Sequence, residues 1–403
     1  MPTPSVLFIN RVYPPGRGAS GRILRDMAQS FAADGWKVTV LTTGDKAGQE
    51  NDGDVLVRRV SGAAHVSSGP GYLWIWLKLL FAAQRLTRRD LVISMTDPPM
   101  LVVIGRIYAS MKGSHHIHWC QDLYPDLLPS LGIRLYGPIM DWMKRLSRRS
   151  MKACDRVVVI GRCMARQLTH TGVDNTRVTF IPNWPDFEIL DPSVQPAQAP
   201  VMPGIKDTRE LLRNENPKFR ILYAGNIGRA HPMKSILDAA ASFTDHPEIE
   251  FVFVGDSPGH EKLARERDKR GLDNIKFLPF QPASSLRALL ETGDIHLVSL
   301  REQAAGMIVP CKFYSSMAVG RPCIYIGPRG TEIARVLTEC NAGSIVPQGD
   351  ADALRDAILS YRNDPEKWYA AQQGAANAGK IFVPQESIPA FLRRARDVVE
   401  NRI

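Results

Sequence analysis

The sequence predicts an α/β protein made of two doubly wound units, each a parallel sheet covered by helices on both faces. Three observations predict it. Apolar, β-rich runs alternate with helical patterns along almost all of the 403 residues. The alternation stops once, in the Pro-rich stretch DPSVQPAQAPVMP at 191–203, and then restarts on the same theme. A chain of this length also exceeds what one ordinary core organises. Strand–helix alternation gives parallel sheets, because a parallel pair needs a crossover and the crossover is a helix.

In the first half, strands are expected at 5–10, 37–42, 55–60, 91–94, 116–121, 156–160 and 179–182. Helices are expected between them at 21–34, 72–86, 99–111, 138–152 and 163–171. The Pro-rich stretch reads as the connection, since proline removes backbone donors and ends regular elements. Beyond it, strands are expected at 220–224, 249–255, 275–277, 295–300, 323–326 and 343–346, separated by helical segments. The last helix, about 385–401, can pack on either unit. The domain assignment is therefore 1–190 and 204–384, with a closing segment of about 385–403 that can return to the first. Two such units facing each other put their carboxyl strand ends on a common cleft, where these sheets bind ligands.

Composition narrows the function. Hydrophobic residues make up 44% and charged residues 23%, as in a folded and soluble chain. The formal charge of +10 points to polyanions or anionic membranes as partners. No nucleic-acid module accompanies that charge, so nucleic acid is not expected. Six scattered cysteines without a CxxC pair read as reduced thiols of a cytosolic protein. The amino terminus has too short an apolar run for a signal peptide, and no window reaches 18 apolar residues.

The stretch GMIVPCKFYSSMAVGRPCIYIG at 306–327 is the most informative. A loop enters a compact helix of small and apolar residues whose free N–H groups would face the crevice, with Ile308, Val309, Lys312 and Ser315 around its start. A second strand-to-loop unit, ILYAGNIGRAHPMK at 221–234, supplies Asn226, Arg229 and Lys234. Basic side chains beside a helix amino end suit a diphosphate, because the helix field and the cations act on one charge. The tight loop Gly255-Asp256-Ser257-Pro258-Gly259 borders a nucleotide or is simply a turn. Gly16, Gly18 and Gly21 fit GxGxxG, but the second strand ends VTVLTTG with no acidic residue for a ribose. A close approach to a ligand, without a dinucleotide fingerprint, is the reading adopted.

Asp122 stands at the carboxyl end of the strand that also carries His116 and His118. A carboxylate there can hold a substrate hydroxyl or cap the following turn. The histidines share a strand face, but no further ligand set completes a metal site, and none is expected. No GxSxG elbow is present. Finally, YLWIWLKLLFAAQRL (72–86) and MDWMKRLSRRSMK (140–152) form an apolar-plus-basic pair of the kind that lies on anionic lipid.

Taken together, FINRVYPPGRGASGR (8–22), QDLYPD (121–126), IPNWPD (181–186), YAGNIGR (223–229), FVGDSPG (253–259) and IVPCKFYSSMAVGRPCI (308–324) resemble the family 4 glycosyltransferases, in order and spacing, over nearly the whole chain. The closest likeness is to bacterial members that build O-antigen, colanic acid and other exopolysaccharides. The resemblance implies the GT-B fold, two Rossmann-like domains facing across a cleft, and retaining transfer to a polyprenyl-diphosphate-linked glycan. It implies a UDP- or GDP-linked sugar as substrate, no cofactor and no obligatory metal, and work at the inner face of the cytoplasmic membrane. Arg229 and Lys234 would face the diphosphate, Gly16 and Gly18 would approach it from the other domain, and either His118 or Asp122 would lie at the transferred sugar. One departure stands out: the two family glutamates fall on Met307 and Ser315, and the second usually holds the ribose. Two alternatives fit the same residues: a sugar-nucleotide epimerase, and a non-catalytic sugar-nucleotide-binding protein docked on a membrane.

Overall fold

The computed structural model describes residues 3–16, 18–62, 69–190 and 218–400. The Pro-rich stretch read as the connection lies outside the described residues, as do Arg17 and the boundary near 204.

The first lobe runs β1 (Ser5–Ile9), α1 (Ala19–Ala33), β2 (Lys37–Gly44), β3 (Gly48–Asp52), β4 (Val55–Ser61), α2 (Gly69–Arg85), β5 (Leu91–Ser94), α3 (Leu101–Lys112), β6 (His115–Cys120), α4 (Gly137–Lys152), β7 (Arg156–Val159), α5 (Arg162–His170), β8 (Val178–Phe180) and α6 (Phe187–Leu190). Its sheet has the order β3-β4-β2-β1-β5-β6-β7-β8. Every pairing is parallel except β3 on β4.

The second lobe runs β9 (Phe219–Ala224), α7 (Lys234–Ala241), β10 (Ile249–Val254), α8 (Pro258–Arg270), β11 (Ile275–Leu278), α9 (Ala283–Glu291), β12 (Ile295–Ser299), α10 (Lys312–Ala318), β13 (Cys323–Ile326), α11 (Glu332–Glu339), β14 (Gly343–Val346), α12 (Ala351–Asn363) and α13 (Pro365–Gly379), followed by α14 (Pro384–Val399). Its six strands are all parallel, in the order β11-β10-β9-β12-β13-β14.

Burial on both faces explains the composition of the strands. All six residues of β10, IEFVFV, are buried, as a parallel strand between two helical layers requires. Strand β3 departs from the reading. Its sequence GQEND is polar and almost wholly exposed, and it pairs antiparallel on β4 at the sheet edge, with Glu50 bound to Arg59 at 2.6 Å. An edge strand with two wet faces carries no apolar pattern to read.

Strand order reverses between β1 and β5 in one sheet and between β9 and β12 in the other. These switch points open a crevice at the carboxyl strand ends. The closing helix α14 settles on the first lobe. Phe391 packs edge-on against Phe31 and, at 5.0 Å, on Trp119, which stacks on Trp184; Arg396 pairs with Asp34 at 2.7 Å. The chain thus crosses twice between lobes, and one apolar cluster is continuous across them, from Val157 and Met164 to Phe313 and Ile333.

Phe391→Ala removes a fully buried ring shared by three elements. It is expected to cost about 3–5 kcal/mol, read as a lower denaturation midpoint by tryptophan fluorescence.

Candidate functional site

The two lobes meet along a bonded seam, and the candidate site is built on it. Asp122, just past β6, forms an isolated antiparallel bridge with Ile308 of the second lobe, and the Leu123 N–H donates to the Met307 carbonyl at 2.8 Å. Beside it, Tyr314 Oη donates to the Ile160 carbonyl at 3.3 Å. Helix α5 begins at Gly161, which has no side chain to cap it. The cap comes from the other lobe: buried Glu332 accepts the Arg162 main-chain N–H and guanidinium, each at 2.7 Å. A Cβ on Gly161 would stand 3.0 Å from Val309 Cγ2, a contact tight enough that the valine would have to give way. Asn183 Nδ2 donates to Gln121 Oε1 at 2.6 Å and lies 3.7 Å from Cys311 Sγ, the residue preceding α10.

On the first-lobe side, a small pocket is lined by Thr96, Met100, His118, Cys120, Asp122 and Tyr124, among others. Its lining comes from the carboxyl ends of β5 and β6, with α3 and α4 behind. After β5, Asp97 is clamped in two-pronged fashion by Arg11, which follows β1 (Nε–Oδ1 and Nη2–Oδ2 both 2.7 Å), and Arg11 lies over the Tyr72 ring at 5.6 Å. Burial, and secondly the neighbouring Asp97 charge, push the Asp122 carboxyl up to about 7. Asp122 therefore divides between acid and carboxylate near neutral pH, the range in which a group can both give and take a proton. His118 and His116 are buried and pushed down to about 4 and about 3, chiefly by desolvation. Both bond Ser94, and among the described residues no group of three or more potential metal ligands forms.

On the second-lobe side, the loop after β9 turns at Gly225, whose φ of +113° favours glycine. Lys312, at the start of α10, stands half-buried over the Tyr223 ring at 3.6 Å and donates to the Asn226 carbonyl at 3.2 Å. Burial drives its ammonium pKa well below the usual lysine range, and among the described residues no carboxylate pairs with it. His231 donates from Nδ1 to the Ser299 carbonyl at 2.7 Å and is pushed down to about 3 by burial, with Lys312 adding to it. Arg229 is exposed, and its carbonyl is held by Arg301 Nε at 2.6 Å. Gly255 and Asp256 lead into Ser257, whose hydroxyl accepts the Ile227 N–H at 3.1 Å and ties the two loops together.

The structure joins Lys312 to the Asn226 loop and ties that loop to the Gly255–Ser257 turn, with Ile308 bridged to Asp122 and Val309 beside Gly161 in the seam. Gly18 ends the glycine loop and Gly16 closes a turn onto the Tyr13 carbonyl at 3.0 Å. Ser315 sits half-buried within the short α10. Lys234 is different: its side chain is 83% exposed and bound to Asp238, one helical turn on, at 2.6 Å. Sequence reasoning missed three residues. Arg11 and Asp97 follow strands and were within reach of the strand-end rule. Glu332 left no signal, because a glutamate in a first helical turn reads as an ordinary dipole partner.

The first lobe matches the family described as "Glycosyl transferase 4-like domain" over residues 18–184, and the second matches "Glycosyl transferases group 1" over 218–364. The chain belongs to the GT-B glycosyltransferases. This glycosyltransferase is similar to a putative colanic acid biosynthesis glycosyl transferase, WcaI, of Escherichia coli K12. They are 29% identical over 352 residues, or 80% of this chain and 83% of the relative. The probable glycosyltransferase WbjE of Pseudomonas aeruginosa is 26% identical over 293 residues, 72% of this chain and 70% of the relative. In fold, a sucrose-phosphate synthase from Thermosynechococcus elongatus superposes with a TM-score of 0.79 at 14% identity, covering 99% of this chain and all 100% of that one. Anabaena HepE, solved in complex with UDP-glucose, gives 0.70 at 15% identity over 98% and 99%.

The folded Asp122 binds its proton up to about 7, whereas an unfolded aspartate releases it near about 3.9. Its contribution falls as pH rises through that window and stays low above it. Asp122→Asn is expected to raise the melting temperature more at pH 8 than at pH 5, checked by calorimetry at both.

Proposed function

We propose that this glycosyltransferase moves a sugar from a nucleoside-diphosphate sugar, UDP- or GDP-linked, to a polyprenyl-diphosphate-linked glycan in bacterial surface polysaccharide synthesis. Anomeric configuration is retained. The observation that carries the reading is the arrangement at the seam: Lys312 at the start of α10, held by the Asn226 carbonyl and the Tyr223 ring, in one lobe, and Asp122, bridged to Ile308, in the other. The named roles of the E. coli relative and the UDP-glucose complex of HepE support the pathway and the donor class.

In this reading Lys312, Arg229 and the amino end of the 306–312 segment stabilise the negative charge that grows on the departing diphosphate. Groups already fixed in a water-poor site do this without reorganising as the bond breaks. The cations take the place that a metal occupies in other phosphate sites, so no obligatory metal is needed. The acceptor hydroxyl attacks from the face the diphosphate leaves. The phosphate oxygen takes its proton, and Asp122 orients the acceptor.

The acceptor is a lipid, and the first lobe offers a surface that fits one. On α2, Leu73, Trp74 and Phe81 are exposed; on α4, Ile139 and Trp142 are exposed beside Lys144, Arg145, Arg148, Arg149 and Lys152. Trp74 is 59% and Trp142 58% exposed, uncovered apolar area beside cations. Among the described residues no helix is long and apolar enough to cross a membrane. Docking on the inner leaflet, rather than spanning it, is the corresponding arrangement.

Arg229→Ala and Lys312→Ala are each expected to lower turnover at least about a hundredfold, the scale of losing one transition-state charge contact, with circular dichroism unchanged. Near-normal turnover would reject the assignment. Donor incubated without acceptor must come back unchanged, since an epimerase would alter it. Replacing Trp74 and Trp142 by alanine is expected to reduce sedimentation with anionic vesicles while leaving donor binding intact.

A further inference from the structure

Lys234, expected as a phosphate cation, turns to Asp238, while the strand next to β9 supplies a guanidinium that has no role in the reading above. Arg301 follows β12, the neighbour of β9 at the point where the strand order reverses. It therefore stands at the carboxyl strand ends, beside the turn that carries Arg229. Arg301 is half-buried, and its Nε donates to the Arg229 carbonyl at 2.6 Å.

That side-chain bond is not what holds the turn. The Arg301 main-chain N–H already donates to the Ala230 carbonyl at 2.9 Å, and His231 donates from Nδ1 to the Ser299 carbonyl at 2.7 Å. Within the turn, the His231 main-chain N–H closes on the Gly228 carbonyl at 3.0 Å. With the turn fixed in these ways, the side-chain bond acts in the other direction: a fixed carbonyl sets the plane of the guanidinium. A guanidinium is a rigid planar fork that can bond along more than one edge. The carbonyl occupies Nε, and the edge formed by Nη1 and Nη2 bonds nothing among the described residues.

No carboxylate neutralises it. Glu302, the next residue, is exposed and makes no ion pair with it, and the Glu302 main-chain N–H goes to Gln348 Oε1 at 3.1 Å. Lys312 bonds the same loop at the Asn226 carbonyl. Among the described residues Arg229, Arg301 and Lys312 all lack a carboxylate partner, and His231, kept neutral by burial, adds no charge. Cations gathered at strand ends with a fork left open suit an anion that presents paired oxygens.

The geometry points to Arg301 as a further ligand of the sugar-nucleotide diphosphate: Nε stays on the Arg229 carbonyl while the Nη1–Nη2 edge takes phosphate oxygens beside Arg229. The identity of the anion rests on the transfer reading above.

Side-chain length separates the two bonds of Arg301. Glutamine carries Nε2 as many bonds from Cα as arginine carries Nε, so Arg301→Gln keeps a donor for the carbonyl and loses the charged edge. Arg301→Met has similar length and neither group. Arg301→Lys keeps the charge, with one nitrogen for both partners. The measurement is the calorimetric affinity of the whole protein for UDP and for GDP, with circular dichroism confirming the fold of each variant. For the nucleotide that the natural protein binds, Arg301→Gln and Arg301→Met are both expected to weaken binding about tenfold to a hundredfold, the worth of a hydrogen-bonded contact to a charged group. Arg301→Lys is expected to fall between them and the natural protein. The matching monophosphate locates the contact: an affinity unmoved in Arg301→Gln assigns the terminal phosphate, and an equal loss assigns the phosphate next to the ribose. Natural affinity in Arg301→Gln, whether or not Arg301→Met is weakened, overturns the proposal, since the side chain then at most braces the turn. Natural affinity in Arg301→Lys overturns it too, because a charge without the fork would be enough. A natural protein that binds neither UDP nor GDP refutes the nucleotide reading, and this assignment falls with it.

Discussion

A pair of main-chain contacts, Asp122 with Ile308 and Leu123 N–H with the Met307 carbonyl, fixes the geometry on which the rest depends. Each lobe brings a segment from the carboxyl ends of its sheet to this seam. The seam sets their register through backbone, which no side-chain rotamer can loosen. Glu332 strengthens it by capping a helix in the opposite lobe. Separation would leave that helix end uncapped and expose a carboxylate now held by two arginines. The continuous apolar cluster beneath the seam acts in the same direction.

The charge pattern of the cleft follows from that closure. Burial removes water from Asp122 and from Lys312, and each shifts toward its neutral form for the same reason. Among the described residues neither has an opposite charge beside it. Lys312 makes do with a carbonyl and an aromatic face, Asp122 with a position near Asp97, whose own charge Arg11 holds. A dianionic ligand entering between them would relieve the lysine while leaving Asp122 able to exchange a proton. Such a cleft is poorly satisfied when empty, and that is the condition in which ligand charge has most effect.

Much of the fold was legible because it depends on patterns that survive in one dimension. Buried parallel strands are apolar throughout, and the chain alternates them with helices, so the expected strands fall within a few residues of β1, β2, β5 to β7 and β9 to β14. Strand β3 was illegible because GQEND is wet on both faces. The site was half legible. Glycines, strand-end residues and the 306–327 segment mark themselves by composition. Lys234 read as a phosphate ligand on spacing alone, whereas one turn of helix gives it Asp238 as a partner. Glu332 acts through a partner far away in sequence, 170 residues for Glu332 and Arg162. No local pattern encodes such pairings.

A crystal structure with a nucleoside-diphosphate sugar bound tests the account most directly. The account requires the diphosphate at the start of α10, with Lys312 Nζ transferred from the Asn226 carbonyl to a phosphate oxygen and the sugar facing Asp122 and His118. A nucleotide seated elsewhere, with Lys312 still on Asn226, would contradict it.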